Sequence, residues 1–407
     1  MDRRSRPRRP PVTSAAAGHR VGVAGPAVAI AGAATNALGY LVPILAARQL
    51  TAGDLGAFAT VLAIAAIAGV PGLGLQIAVA VHTARRPGAV TARISWLTAA
   101  ASAGAVLALT PVATGLLDLP VTVVPALASY VGAVVLAGRW LGELQGQERF
   151  LRLAVGMVVL AVGRYGGLIA GLLLGAGVTG SVLVGTVVTL LIPPVLAVLA
   201  RTGTDLTRAD GVTVRQVITA CSATLAMLAA SYADLILARH LLPAAASGGY
   251  AVGTVLTKGA IWAPQVVTVL ALPRLARGSR RTLAVAAAVV TASGVVLVAA
   301  SAVAGSLAFR LAGGADYAAL GRYAPVFALT GALYAVVFLV VNAQVAVGAR
   351  WPSAPLVAAC VVLVVVTRWV VPHTFTAIMW CAVATAAGTL AVSVLSFRRS
   401  RRRLVTR

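Results

Sequence analysis

The chain has 407 residues, of which 60% are hydrophobic and only 10% charged, with a formal net charge of +24. A soluble fold of this size cannot hide so much apolar surface, so the composition excludes a soluble globular protein. The positive charge does not point to nucleic acid either, because the arginines sit in short runs between apolar stretches instead of covering one domain.

Residues 1–22 form a basic, Pro-rich stretch, which we read as a disordered cytoplasmic tail in contact with anionic lipid. A spanning helix needs about 20 mostly apolar residues. In chain order that criterion is met at 23–46, 56–80, 94–117, 120–141, 153–176 and 178–200, then at 216–241, 249–272, 282–308, 323–348, 353–371 and 375–396. A polar segment at 201–215 divides the spans six and six, and reads as a cytoplasmic linker between an N-lobe (23–200) and a C-lobe (216–396). Residues 397–407 form a second basic tail. Pro43, Pro71, Pro111, Pro193, Pro194 and Pro264 interrupt spans and predict kinks. The tryptophans fall mostly near span ends, where an interfacial belt places them.

Charge placement tests the count independently. With the N-terminus inside, 26 basic residues fall on the inner side and five on the outer: Arg48, Arg239, Arg310, Arg322 and Arg368. That asymmetry obeys the positive-inside rule and favours twelve spans with both termini in the cytoplasm of a plasma membrane. Of the 33 basic residues only Lys258 is a lysine, a bias typical of a GC-rich bacterial genome.

The two halves repeat. Ala47-Arg48-Gln49-Leu50 precedes Gly56-Ala57-Phe58-Ala59, and Ala238-Arg239-His240-Leu241 precedes Gly249-Tyr250-Ala251. Each half has six spans, an even number, so the halves run in parallel. A pseudo-two-fold axis along the membrane normal then relates them. The expected fold is an all-α polytopic membrane protein of about twelve helices, in two six-helix lobes around a central cavity.

Four stretches carry a likeness to a known family. They are Ala47 to Phe58; Leu144-Gln145-Gly146-Gln147-Glu148-Arg149-Phe150; Tyr232 to His240 with Gly249-Tyr250; and Asn342 to Arg350. In order and spacing the chain resembles the Wzx-type oligosaccharide flippases of the multidrug/oligosaccharidyl-lipid/polysaccharide exporter superfamily. The resemblance implies a transporter that moves a polyprenyl-pyrophosphate-linked saccharide from the inner to the outer leaflet by alternating access. Its expected partners are the lipid-linked substrate, membrane lipids, and a polysaccharide polymerase or glycosyltransferases. An ion-coupled drug antiporter of the same superfamily is the alternative, followed by a cell-envelope enzyme or scaffold.

A charge at bilayer depth costs roughly 2.5–3.5 kcal/mol on insertion scales and needs a cavity or a partner. Arg164 is read as a cavity cation for the pyrophosphate, or as an interhelical donor to carbonyls. Lys258 and Asp234 fall at similar depth. They are either a structural ion pair or a site where Lys258 meets phosphate and Asp234 couples an ion. Arg48 and Arg239 are interfacial anchors or an outer gate. Asn36, Gln76, Asn342 and Gln344 are interhelical hydrogen-bonders or part of a sugar path. No metal or cofactor is expected, since the four histidines and three cysteines lack ligand spacing. The nine acids lack the pairing a membrane glycosyltransferase needs, and no phosphate-binding Gly-rich loop with its lysine occurs, so an enzyme is not expected.

Overall fold

The computed structural model describes residues 14–86, 91–115, 120–201, 211–262 and 264–405. Most of the basic N-terminal tail and of the central linker therefore lies outside the described residues. Among the described residues every regular element is helical. Twelve spans run in the expected order. They are α1 (Gly25–Ala46), α2 (Asp54–Arg85), α3 (Ala92–Gly115), α4 (Val123–Gly146), α5 (Phe150–Leu173), α6 (Gly177–Ala200), α7 (Val214–Leu241), α8 (Ala246–Ala276), α9 (Arg280–Leu311), α10 (Tyr317–Val347), α11 (Ala354–Trp369) and α12 (Phe375–Arg399). Eleven are long and apolar enough to cross a membrane; α11, at 16 residues, is about 24 Å long. The chain is a multi-pass membrane protein.

Helix extends beyond the expected spans at both ends. The first helix begins at Ser14, inside the stretch read as tail, and the last continues to Val405 through the C-terminal arginines. The C-terminal stretch has no glycine or proline and is rich in arginine, a good helix former; at the N-terminal end Ala15, Ala16 and Ala17 favour helix, which runs on through Gly18 and Gly22. The α7 start is set locally: the Thr213 side chain accepts from the Gln216 amide and the Gln216 side chain accepts from the Thr213 amide.

Most of the prolines act as anticipated. Helix breaks fall at Gly69 beside Pro71, at Leu109 beside Pro111, at Leu191 beside Pro193 and Pro194, and at Pro264. Pro43 instead stays inside a continuous helix. A further kink lies in α9 at Ala304 (φ −110°, ψ 21°), where no proline announces it.

Small residues bring the spans together. On α4, Gly138, Gly142 and Gly146 recur every four residues and so line one face. A Cβ on each would meet a carbonyl of α2: Gly72 O at 2.3 Å, Gln76 O at 2.6 Å and Ala80 O at 2.6 Å. In the other lobe Gly331 of α10 lies against Thr257 O of α8 in the same way. The pseudo-repeat thus appears as packing, α2–α4 in one lobe and α8–α10 in the other. Phe58 and Tyr250, the aromatic residues of the sequence repeat, are both fully buried.

The lobes meet along α1, α2, α7 and α8. Gly74 of α2 is pressed on Cys221 of α7, and Gly25 of α1 touches Leu270 of α8.

Candidate functional site

At the end of the bundle that carries the arginine-rich loops, side chains tie the lobes. Gln76 donates to Gln145 Oε1 (3.1 Å), and Gln145 in turn donates to the carbonyl of Val269 on α8 (3.0 Å). Arg85 at the end of α2 donates to the carbonyls of Ala276 (3.0 Å from Nε) and Ala346. Glu148, on the turn between α4 and α5, pairs with both Arg274 (3.2 Å) and Arg277 at the end of α8. These contacts hold the two lobes together at the basic end.

Toward the opposite end the lobes part around a cavity of about 580 Å³. Thr35, Asn36, Gly39 and Tyr40 of α1 line it, with Tyr165 of α5, Tyr232 and Leu235 of α7, and Thr254, Lys258 and Trp262 of α8. Lys258 lies about 18 Å along α8 from Ala246. Its ammonium donates to the Ser231 carbonyl and to Ser231 Oγ (3.1 Å), and sits 3.2 Å from the ring centre of Tyr232. These partners are neutral. The carbonyl and the ring face supply negative potential at a depth where an unpaired ammonium would be costly.

Asp234 is placed elsewhere. It is buried, it accepts a hydrogen bond from Tyr250 Oη (3.1 Å), and it does not line the cavity. Of the two alternatives for this pair, the direct ion pair is not formed: Lys258 goes to Ser231 instead, one helical turn away on α7. Asp234 looks into the C-lobe, where Tyr250 packs edge-on against Phe327 (5.1 Å) and Phe375 (5.5 Å).

Arg164 does not share the Lys258 cavity. Residues 162–166 of α5 form a π turn, rich in glycine with Gly163 and Gly166. A π turn disturbs the α-helical pairing of backbone carbonyls, and neighbouring hydroxyls take them up here. Thr189 of α6 donates to the Gly163 carbonyl (3.0 Å) and Tyr130 of α4 to the Arg164 carbonyl (3.0 Å). The turn sends Tyr165 into the large cavity and Arg164 into a cleft of about 130 Å³ between α2, α4 and α5. There the Arg164 Nε is buried without an acceptor. Leu73 and Gln76 line this cleft and also a third pocket, of about 130 Å³, between the lobes. Asn342 faces that pocket, donating to the Phe338 carbonyl (2.8 Å).

Of the other polar residues, Asn36 is exposed in the large cavity and Gln76 borders the two smaller spaces. Gln344 is buried and donates to the Ser393 carbonyl of α12 (2.8 Å), so it serves as an interhelical bond away from all three spaces. Arg48 and Arg239 are exposed at equivalent helix ends. The sequence reading missed Glu148, Gln145 and Arg85 as contacts between lobes, although Glu148 and Gln145 lie in one of the family-like stretches.

No family model matches the chain, and no curated protein matches it. Solved structures do. An outward-facing multidrug resistance MATE family transporter of the MOP superfamily is 16% identical, with 94% of this chain and 96% of that one covered and a TM-score of 0.69. A mutant of the Vibrio cholerae MATE transporter VcmN is 12% identical over 95% of this chain and 98% of that one, TM-score 0.73. The eukaryotic MATE transporter AtDTX14 is 14% identical over 95% and 99%, TM-score 0.66. At these identities the likeness is one of fold: the chain has the two-lobed, twelve-helix MATE fold.

Proposed function

We propose that this chain is a transporter of the MOP superfamily that carries an amphipathic, anionic cargo by alternating access. The cargo class is a polyprenyl-pyrophosphate-linked saccharide, moved from the side of the arginine-rich loops, taken as cytoplasmic, to the far side. The fold shared with MATE transporters supports the transporter reading. The observation that carries the cargo class is the charge of the large cavity, which has Lys258 and no carboxylate in its lining.

A cationic drug is repelled by the Lys258 ammonium and needs a carboxylate to offset its desolvation, beyond what the rings of Tyr40, Tyr165 and Trp262 supply. Here Asp234 is withdrawn behind Tyr250, and the face of Tyr232 is taken by Lys258. A pyrophosphate suits the same site, since it replaces the Ser231 carbonyl as partner of the ammonium. The polar wall of Asn36, Thr35 and Thr254 offers hydrogen bonds to a sugar. Arg164, whose Nε has no acceptor in its cleft and whose guanidinium lies over the Tyr165 ring (5.2 Å), is the second cation available when the lobes move.

The test is the lipid pool of a strain lacking this protein, compared with its parent. A build-up of complete lipid-linked saccharide on the cytoplasmic side, restored to normal by the wild-type gene but not by Lys258→Gln at equal protein level, supports the proposal. An unchanged pool with heightened sensitivity to cationic drugs favours the antiporter reading and overturns this one.

A further inference from the structure

We propose that Arg274 and Arg277 are a loading site for the phosphate groups of the cargo at the basic end, and that Glu148 occupies this site as a latch while that end is closed. The inference rests on the anionic-cargo reading and adds to it where the cargo is first engaged and how it opens the protein.

The first observation is the backbone of Glu148. It has φ of 56°, and among the described residues no other non-glycine has positive φ. The residue ends α4 in a tight turn: its amide donates to Gln145 O (3.1 Å), and the Arg149 amide donates to Leu144 O (2.9 Å). Glycine fills this left-handed position at least cost. The other described left-handed residues of the chain, among them Gly278 and Gly348 at the ends of helices, are indeed glycines. A glutamate here is strained, and its carboxylate is what the position gains in return.

The second observation is what that carboxylate holds. Oε2 accepts from Nε and Nη2 of Arg274 (3.3 and 3.2 Å), and Oε1 pairs with Arg277. Glu148 belongs to the N-lobe and both arginines to the C-lobe, so the contact spans the line along which the lobes separate. One carboxylate serves two guanidiniums. Next in the chain, Arg149 has a buried Nη1 without an acceptor. The turn therefore carries more cation than the single glutamate neutralises.

Third, the arginines are open to water. Their side chains are 39% and 48% exposed, whereas that of Glu148 is 23% exposed. An anion arriving from the basic side reaches the guanidiniums before it reaches the carboxylate. Arginine forks bind phosphate and carboxylate oxygens with the same bidentate geometry, and a pyrophosphate brings more charge than one carboxylate. Phosphate binding and latch closure are thus mutually exclusive. Displaced, Glu148 no longer ties the lobes, and the bonds of Gln145 and Arg85 beside it run to single carbonyls of α8 and α10.

The experiment uses the full chain in lipid nanodiscs, with Cys221, Cys360 and Cys381 replaced by alanine and spin labels placed at Gln147→Cys and Arg281→Cys. Inter-label distances are measured with and without inorganic pyrophosphate. Expected is a short distance without the anion, and a longer-distance population on adding millimolar pyrophosphate. The same longer population is expected, without anion, in both Glu148→Gln and Glu148→Gly. The glycine variant removes the carboxylate while relieving the backbone, so poor folding does not mask the result. Arg274→Gln with Arg277→Gln should abolish the response to pyrophosphate. A short distance that persists in the Glu148 variants, or a wild type indifferent to pyrophosphate, overturns the proposal. Binding of farnesyl pyrophosphate is measured in parallel. Binding that depends on Lys258 while the distances stay fixed sinks the latch alone, whereas no binding by any variant sinks the anionic-cargo reading beneath it.

Discussion

Asp234 and Tyr250 show what a polar group at bilayer depth requires. The carboxyl is buried and its side-chain partner is the Tyr250 hydroxyl, itself enclosed by Phe327 and Phe375. Removing one partner leaves the other orphaned, at a cost of about 1–3 kcal/mol; replacing both with apolar groups avoids that cost. Tyr250→Phe should therefore lower the melting temperature in detergent, and Asp234→Leu should lower it too. The double variant should recover much of the loss. Additive losses instead would mean that the two side chains do not act as a pair. The sequence placed Asp234 and Lys258 at one depth, because rise per residue converts directly to depth. It did not tell which way each side chain faces across a helix pair, so the partners came out as Tyr250 and Ser231. The cleft that Arg164 enters was not legible for a related reason: Arg164 lies within the π turn, which resets the helix face, and glycines at 163 and 166 permit such a turn without announcing it.

Element boundaries were legible because hydrocarbon imposes a length and a composition. The expected spans and the observed helices agree to within a few residues at most ends. What holds the elements together was less legible, since 41 glycines are spread through the chain and only some pack tightly. The informative ones recur every four residues on α4. At Gly142 a Cβ would sit 2.6 Å from Gln76 O and 2.8 Å from Val79 Cβ, with backbone that cannot move aside. At Gly104 of α3 nothing lies within 4 Å of the same atom. Gly142→Val should destabilise by about 1–3 kcal/mol or more, as overpacking does. Gly104→Val carries the same change in helix propensity and should leave stability nearly unchanged. Size-exclusion profiles and thermal melts of the two variants separate packing from propensity; equal losses would refute the role given to the α2–α4 contact.

For the whole molecule, the arginine count gave an axis and the repeat gave the lobes, but neither gave the conformation. That depends on a few bonds between lobes whose free energies nearly balance those of the alternative closure. In this structure the large cavity opens away from the basic end, while the pocket around Asn342 is sealed from that end by Arg85, Gln145 and Glu148. Single cysteines in a background free of native ones report both the closure and the orientation. Asn36→Cys should react with a membrane-impermeant maleimide added outside intact cells. Asn342→Cys should stay unreactive from outside and react slowly in inside-out vesicles. Adding Glu148→Gln should speed the second reaction and slow the first, because one set of lobes cannot be open at both ends. If Glu148→Gln speeds labelling at Asn342 and leaves Asn36 unchanged, the two ends are uncoupled and the protein works as a leak or a channel. If Asn36 is labelled only in inside-out vesicles, the basic loops lie outside the cytoplasm and the direction of transport proposed here reverses.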